Sequence, residues 1–288
     1  MTVLDHKIDF AVLLTVTKAN PNGDPLNGNR PRQNFDGYGE ISDVAIKRKI
    51  RNRLQDMGEA IFVQSNDRTT DGYKSLRERA NENEALKKIA KEKKGDPDAY
   101  AAVACQEWTD VRSFGQVFAF KGSGNKGVSV GVRGPVTVQT AVSIAPIDVS
   151  TMQITKSVNS EPGEGRGSDT MGMKHRVDFG LYRFNGSINT QLAEKTGFTV
   201  EDAEKIKAAL LSLFENDASS ARPEGSMEVY KVYWWEHKNK LGQYSAAKVH
   251  HSLVVKPKAG LDVPKKITDY DISLNKLDGL EVEVSNGR

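Results

Sequence analysis

Residues 8–32 read "IDFAVLLTVTKANPNGDPLNGNRPR", and the change of character within them decides the fold. The first ten residues alternate well enough for a half-buried strand. The next fifteen, from Lys18 to Arg32, hold four Asn, three Pro and two Gly, with only Ala19 and Leu26 plainly apolar. A plain connection between a strand and a helix needs only a few residues, so a long polar loop held by Pro and Gly is shaped for a purpose. Ser42 or Asp43 can then cap a helix running to about Met57, with Ile46, Ile50, Leu54 and Met57 as its core stripe. Lys47, Arg48, Arg51 and Arg53 fall on its flanks and outer side.

Further along, "AIFVQS" (60–65) reads as a short strand, and residues 72–94 as solvated helices with Leu76, Leu86 and Ile89 as sparse anchors. Asp96 and Pro97 start another helix. Residues 113–145 turn β-rich, with turns at 122–127 and at Gly134-Pro135. Residues 148–175 become polar and irregular and predict a hairpin with a Gly-rich tip. "RVDFGLYRFNGSI" returns to strand alternation, and "TVEDAEKIKAALLSLFEND" is a helix capped by Thr199. "MEVYKVYWWEH" and "KVHHSLVVK" supply further strands. The order predicts an α+β domain, an antiparallel sheet with helices on one face. A ferredoxin-like or RNA-recognition-motif core fits, and it would leave the other sheet face free to read single-stranded RNA.

Composition narrows the function. The chain has 288 residues, 38% hydrophobic and 27% charged, and no apolar run approaches a membrane span, so a cytoplasmic protein with no membrane contact is expected. The lone Cys105 excludes an intrachain disulfide and a Cys-cluster zinc site. The five His form no metal-ligand spacing, and His250 and His251 would point to opposite faces of a strand. "GSGNKG" (122–127) precedes a strand, not the helix a dinucleotide site requires, and no Walker motif is present; no cofactor or metal is expected. Aromatics are only 7%, and Trp234 and Trp235 would face opposite sides of a strand, so at most one is a stacking platform.

Net charge is +3, but it is unevenly spread. No Asp or Glu occurs from Val111 to Ile147, where Arg112, Lys121, Lys126 and Arg133 stand. Arg30, Arg32, Lys47, Arg48, Lys49, Arg51 and Arg53 outnumber the acids around the first helix. Such patches on a nearly neutral protein point to a defined polyanion track. Lys47 and Arg51, one turn apart, are spaced to touch successive phosphates, with Arg30 and Arg32 beside Pro31 on the same backbone. Asp24 reads as a turn residue.

Taken together, "NPNGDP…NRPR", "IKRKIR", "RSFGQVFAFK", "GPVTVQ" and "MGMKHRVDFGLY" resemble the Cas7 family, in the type I-C form also called Csd2. The resemblance covers nearly the whole chain. It implies a palm of RNA-recognition-motif type (1–58, 111–147 and 176–288), a helical fingers insertion (59–110) and a β-hairpin thumb (148–175). It also implies a crRNA-binding backbone subunit of a Cascade surveillance complex. Such a subunit polymerises along the CRISPR RNA with copies of itself and presents the guide to target DNA. Its implied partners are Cas5-type and Cas8-type subunits and a recruited Cas3 helicase-nuclease.

Holding any guide sequence requires gripping phosphates and sugars rather than base edges. The expected RNA-binding set is Asn20, Asn22, Asn29, Arg30, Arg32, Ser42, Lys47, Arg48, Arg51, Arg112, Ser113, Phe114, Gln116, Lys121, Arg133, Lys156, Lys174, His175 and Arg176. Met152, Met171 and Met173 are candidates for an apolar wedge that parts stacked bases. The subunit is expected to be non-catalytic. The alternative is an RNA endonuclease using Asp24 or His175, since some relatives in this superfamily cut target RNA with a loop Asp.

Overall fold

The computed structural model describes residues 2–91, 96–119, 129–155, 171–261 and 263–288. The chain opens with β1 (Ile8–Ala19), β2 (Gly23–Asp24), β3 (Arg30–Pro31), β4 (Tyr38–Ile41) and α1 (Asp43–Asp56). Then come α2 (Leu76–Glu82), α3 (Glu84–Lys91), α4 (Pro97–Glu107), α5 (Thr109–Phe114), β5 (Gly115–Ala119) and β6 (Ser129–Arg133). β7 (Val136–Val138), β8 (Ala141–Pro146), β9 (Val149–Thr155), β10 (Met171–Ile188), α6 (Thr190–Thr196) and α7 (Val200–Leu211) follow. The last elements are β11 (Met227–Glu236), α8 (Ala246–Ser252), β12 (Leu253–Pro257), β13 (Tyr270–Leu274) and β14 (Glu283–Asn286).

The main sheet runs β14-β11-β1-β10-β8-β4, with β7 and β9 also on β10, and every described pairing in it is antiparallel. β1 is its centre: Ile8 pairs with Ile188 on one side and with Glu236 on the other. The strand was expected to be half-buried, yet every residue from Ile8 to Val16 is buried. Alternation explains how. Ile8, Phe10, Val12, Leu14 and Val16 pack into one core with Ile46, Ile50 and Leu54 of α1 and Ile206 and Leu210 of α7. Ala11 and Leu13 pack into another, with Val249 of α8, Leu253 of β12 and Tyr270 of β13. Helices therefore lie on both faces, and the free RNA-reading sheet face expected from the sequence is covered by α8 and the β12–β13 hairpin.

A third core joins the helical lobe: Phe62, Leu86, Tyr100, Ala104 and Trp108, together with Val111, Phe118 and Val130. The β5–β6 hairpin thus packs with the helices rather than with the main sheet. Residues 60–65 form an irregular connection, not a strand, because their backbone is held by a side chain: Asp110 accepts the amides of Phe62 and Val63 at 2.7 and 3.1 Å. Cys105 lies in this core, where burial pushes its thiol up to about 11.

Other sequence readings hold or shift for local reasons. Ser42 caps α1, Asp96 caps α4, and Thr199 closes a full capping box with Asp202 on α7. His250 and His251 sit on α8, not on a strand, and burial lowers the His250 pKa. Trp234 and Trp235 are both buried, one in each core, so neither is a stacking platform. Among the described residues no helix is long and apolar enough to cross a membrane, and no three His, Cys, Asp or Glu group to hold a metal.

A buried ionic cluster ties β1 to its two neighbours. Asp9 accepts from Lys7 Nζ at 2.6 Å, Ser187 Oγ at 2.6 Å and His237 Nε2 at 2.8 Å. Gln243 N–H donates to His237 Nδ1 at 2.9 Å, which fixes the ring with its proton on Nε2. Burial alone would raise the Asp9 pKa, but these three donors outweigh it and hold it below the ordinary value. Asp9 therefore contributes its stability in full above the unfolded value of about 4 and loses it as pH falls below that toward its folded value. Asp9→Asn should lose about 3 kcal/mol at pH 7 and flatten the fall in stability between pH 5 and 3, measured by urea unfolding. A variant as stable as the parent at pH 7 would remove the cluster from the stability argument.

Candidate nucleic-acid interface

The loop between β1 and α1 is built by its own polar side chains. Asn20, 4% exposed, donates from Nδ2 to the Asn29 carbonyl at 2.7 Å. Asn22 Oδ1 accepts the Ser42 amide at 3.0 Å, and the Arg32 amide donates to the Asn22 carbonyl at 3.0 Å. β2 pairs with β3 across a turn in which the Asp24 carbonyl accepts the amides of Asn27 and Asn29. Gly28 and Asn29 both take positive φ there, which suits Gly and Asn. A Cβ at Gly23 would meet Asn29 Oδ1 at 1.9 Å, so any larger residue there would displace the Asn29 side chain. Asp24 Oδ1 accepts the Leu26 amide at 3.2 Å and lies 3.6 Å from Arg32, the turn role its sequence suggested.

The loop meets a second structure, the arm formed by β9 and the first third of β10. Their register runs from Met171↔Thr155 to Val177↔Val149. Arg30 Nη1 reaches Thr151 Oγ1 at 3.3 Å and His175 Nδ1 at 3.4 Å, and Thr151 and His175 are themselves 2.8 Å apart. Arg30 thus joins loop and arm. Directly paired residues point the same way, so Met171, Met173, His175, Thr151 and Gln153 share one arm face. That face continues into Val177, which packs in the core beneath α1. Met152, Ile154, Lys174 and Arg176 occupy the opposite face. The three Met residues expected to act together are therefore divided, Met171 and Met173 on the loop side and Met152 on the other. All are solvent-exposed, at 63%, 58% and 36%.

Several expected phosphate ligands are engaged inside the protein. Arg51 donates to buried Asp110 at 2.8 Å and lies 5.0 Å over the Phe114 ring. Arg112 grips Asp202 through two bonds of 2.7 and 2.9 Å and also bonds the Cys105 carbonyl. Burial would raise the Asp202 pKa, but Arg112 and the Thr199 cap outweigh it and hold it down. Ser113 is fully buried and donates to the Thr109 carbonyl, and Arg48 bonds the Val63 carbonyl at 2.6 Å. These groups fasten the helical lobe to α1 and α7 through bonds within the chain. Lys47 lies 3.1 Å from Asp43 one turn before it, and Gln116 bonds the neighbouring Val117 carbonyl. Arg133 is exposed at the end of β6. Lys121, Lys126, Lys156, the 122–127 turn and the hairpin tip lie outside the described residues.

Sequence reasoning missed a groove of about 360 Å3 beside the loop, between Asn22, Arg48 and Asn52 on one side and Arg68 and Arg222 on the other. Its cations come from three distant segments, so no local run announced it. Lys49 lies beneath, paired with Asp217, and burial lowers its pKa.

The family model "CRISPR-associated protein Cas7" matches residues 6–275. The chain belongs to the Cas7 family. A curated Cas7 from Haloferax volcanii is 26% identical, the match covering 76% of this chain and 67% of that one. Among solved structures, a chain of a "CRISPR RNA-guided surveillance complex, pre-nicking" is 19% identical with a TM-score of 0.47, covering 80% of this chain and 75% of that one. A chain of a "CRISPR RNA-guided surveillance complex" is 17% identical with a TM-score of 0.44, covering 80% and 68%.

The charge pairing of this Cas7 chain makes its two helix cations unequal. Arg51→Ala should lower stability by about 3 kcal/mol, because it strands the Asp110 carboxylate in the lobe junction. Lys47→Ala should change it by less than about 0.5 kcal/mol. Equal effects in urea unfolding would contradict the division between a junction cation and a surface one.

Proposed function

We propose that this chain is the crRNA-binding backbone subunit of a CRISPR surveillance complex, in the type I-C (Csd2) form. The observation that carries the reading is Arg30. It joins the hydrogen-bonded opening loop to the arm and makes one surface of half-buried Arg30 and His175 with exposed Asn29, Met171 and Met173. The surface offers cations, amides and flexible apolar side chains, the groups that hold a backbone and part a base without reading its edges. Membership of the Cas7 family supports the assignment.

In this reading the main sheet with its α1 and α7 layer is the RNA-recognition-motif palm, the helical lobe is the fingers, and the β9–β10 arm is the thumb. Copies line the guide RNA in the cytoplasm and leave its bases to pair with target DNA. Cas5-type and Cas8-type subunits complete the assembly, and a Cas3 helicase-nuclease cuts the target. The subunit itself is non-catalytic: Asp24 is a turn acceptor facing Arg32, and His175 is a ligand of Thr151 and Arg30. Arg48, Arg68 and Arg222 around the 360 Å3 groove beside the loop extend the basic surface.

Co-expression with a CRISPR RNA tests the assignment. RNA of uniform length should elute with several copies of the chain, and Asp24→Ala should elute unchanged. Arg30→Ala should weaken binding about equally for unrelated sequences and reduce the slope of log affinity against log salt by about 0.7, the value of one phosphate contact on a single strand. An RNA-free monomer that degrades added RNA, with the activity lost in Asp24→Ala, would overturn the reading.

A further inference from the structure

The groove beside the opening loop does more than add positive charge. Arg48, Lys49, Arg68 and Arg222 line it against two carboxylates, Asp67 and Asp217. Asp217 is already shared: it pairs with Lys49 and accepts from Arg222 Nε at 3.2 Å. The excess of cations suits an anion. A volume of about 360 Å3 is larger than a bare phosphate needs and lies within the range for a small organic ligand.

Two polar atoms of residues lining the groove are buried and have no hydrogen-bond partner among the described residues: Asn52 Oδ1 on α1 and Arg68 Nε in the connection after it. They are of opposite kind. Arg68 Nε has a hydrogen to donate. Its guanidinium is fixed, because Nη1 and Nη2 are held by the carbonyls of Asn216 and Asn52 at 3.3 and 3.4 Å. Asn52 Oδ1 can only accept. Buried polar groups of native proteins are paired, so each of these two calls for a ligand atom.

A phosphate answers the guanidinium but not the amide oxygen, because its oxygens accept at neutral pH. Within a strand, the donors left for Asn52 are base N–H groups and the ribose 2′-hydroxyl. Base N–H groups change with sequence, whereas the 2′-hydroxyl stands at every residue of RNA and at none of DNA. Asn52 lies one helical turn beyond Arg48 on α1, about 6 Å along the same face, a span comparable to one sugar-phosphate unit.

We infer that the groove holds one ribonucleotide unit and that Asn52 selects RNA over DNA by accepting from its 2′-hydroxyl. The phosphate lies against Arg68 Nε and the Nη groups of Arg222, which have no partner among the described residues. The inference rests on the RNA-binding reading and gives it a sugar-selective residue. Loop and arm grip the strand, and the groove chooses the sugar.

Three oligonucleotides of one sequence test it: RNA, DNA, and 2′-fluoro RNA, which keeps the ribose shape and lacks the hydroxyl hydrogen. The parent should bind RNA at least about fivefold more tightly than either of the others, the worth of one hydrogen bond. Asn52→Leu is similar in shape and lacks the acceptor. In it RNA affinity should fall to the 2′-fluoro level, with the ratio near one. Arg222→Gln should weaken RNA and 2′-fluoro RNA alike and keep the ratio. Equal binding of RNA and 2′-fluoro RNA by the parent needs no variant, and it would overturn the inference while leaving the RNA-binding reading in place. A ratio retained in Asn52→Leu would do the same. If the parent holds no strand, adenosine 3′,5′-bisphosphate and its 2′-deoxy form separate the two claims. A preference for the ribose form, lost in Asn52→Leu, would uphold the groove and remove the backbone-subunit reading. Equal binding of the two forms, or none, would remove both.

Discussion

Ile8 to Val16 form the one strand on which everything else is built, and they are buried from both sides. A strand in that position has no face left for a ligand. Its even-numbered residues belong to the α1 and α7 layer, and its odd-numbered ones to the α8 and β12–β13 layer. The buried Asp9 is tolerable there only because Lys7, Ser187 and His237 converge on it from β1 and both neighbouring segments. Closing both faces pushes ligand binding to what leaves the sheet at its ends: the loop after β1 and the arm ahead of β10's sheet portion. The peripheral position of the proposed RNA surface follows from the burial of the centre.

The opening loop shows how polarity can serve shape. Asn20 and Asn22 read in sequence as donors for a ligand, yet one is buried against the Asn29 carbonyl and the other holds the amide of the α1 cap. Their work is to present Asn29, Arg30 and the turn around Asp24 in one conformation. A loop held this way loses little freedom on binding, which favours affinity without further contacts.

Much of the architecture was legible. The α1 stripe, the Ser42, Asp96 and Thr199 caps and the strand from Arg176 to Ile188 rest on local periodicity and capping, which a sequence displays directly. The two-sided burial of β1 was not, because its odd positions include Ala11, Asp9 and Thr15, small or polar residues that read as solvent-facing. The cations were legible as residues but not as roles. Arg51 and Arg112 look like their exposed neighbours until Asp110 and Asp202, distant in sequence, are seen beside them. "KVHHSLVVK" misled for a related reason: Ser245 caps a short helix just before it, and the strand begins only at Leu253. The arm's two faces were written in the register all along, but only the pairing of Lys174 with Met152 separates Met152 from Met171 and Met173.

β10 is a single strand of 18 residues, about 60 Å long, and it belongs to both the core sheet and the arm. No separate hinge segment divides the two: Val177 is packed in the core and His175, two residues earlier, already faces the loop. The direction of the arm is therefore inherited from the twist of the sheet. Core substitutions that alter that twist by a few degrees would be magnified at Met171 as a lever magnifies rotation at its fulcrum. The position of the arm's far end relative to the sheet is then a property of the hydrophobic core, and repacking the interior would shift it without touching a residue of the arm.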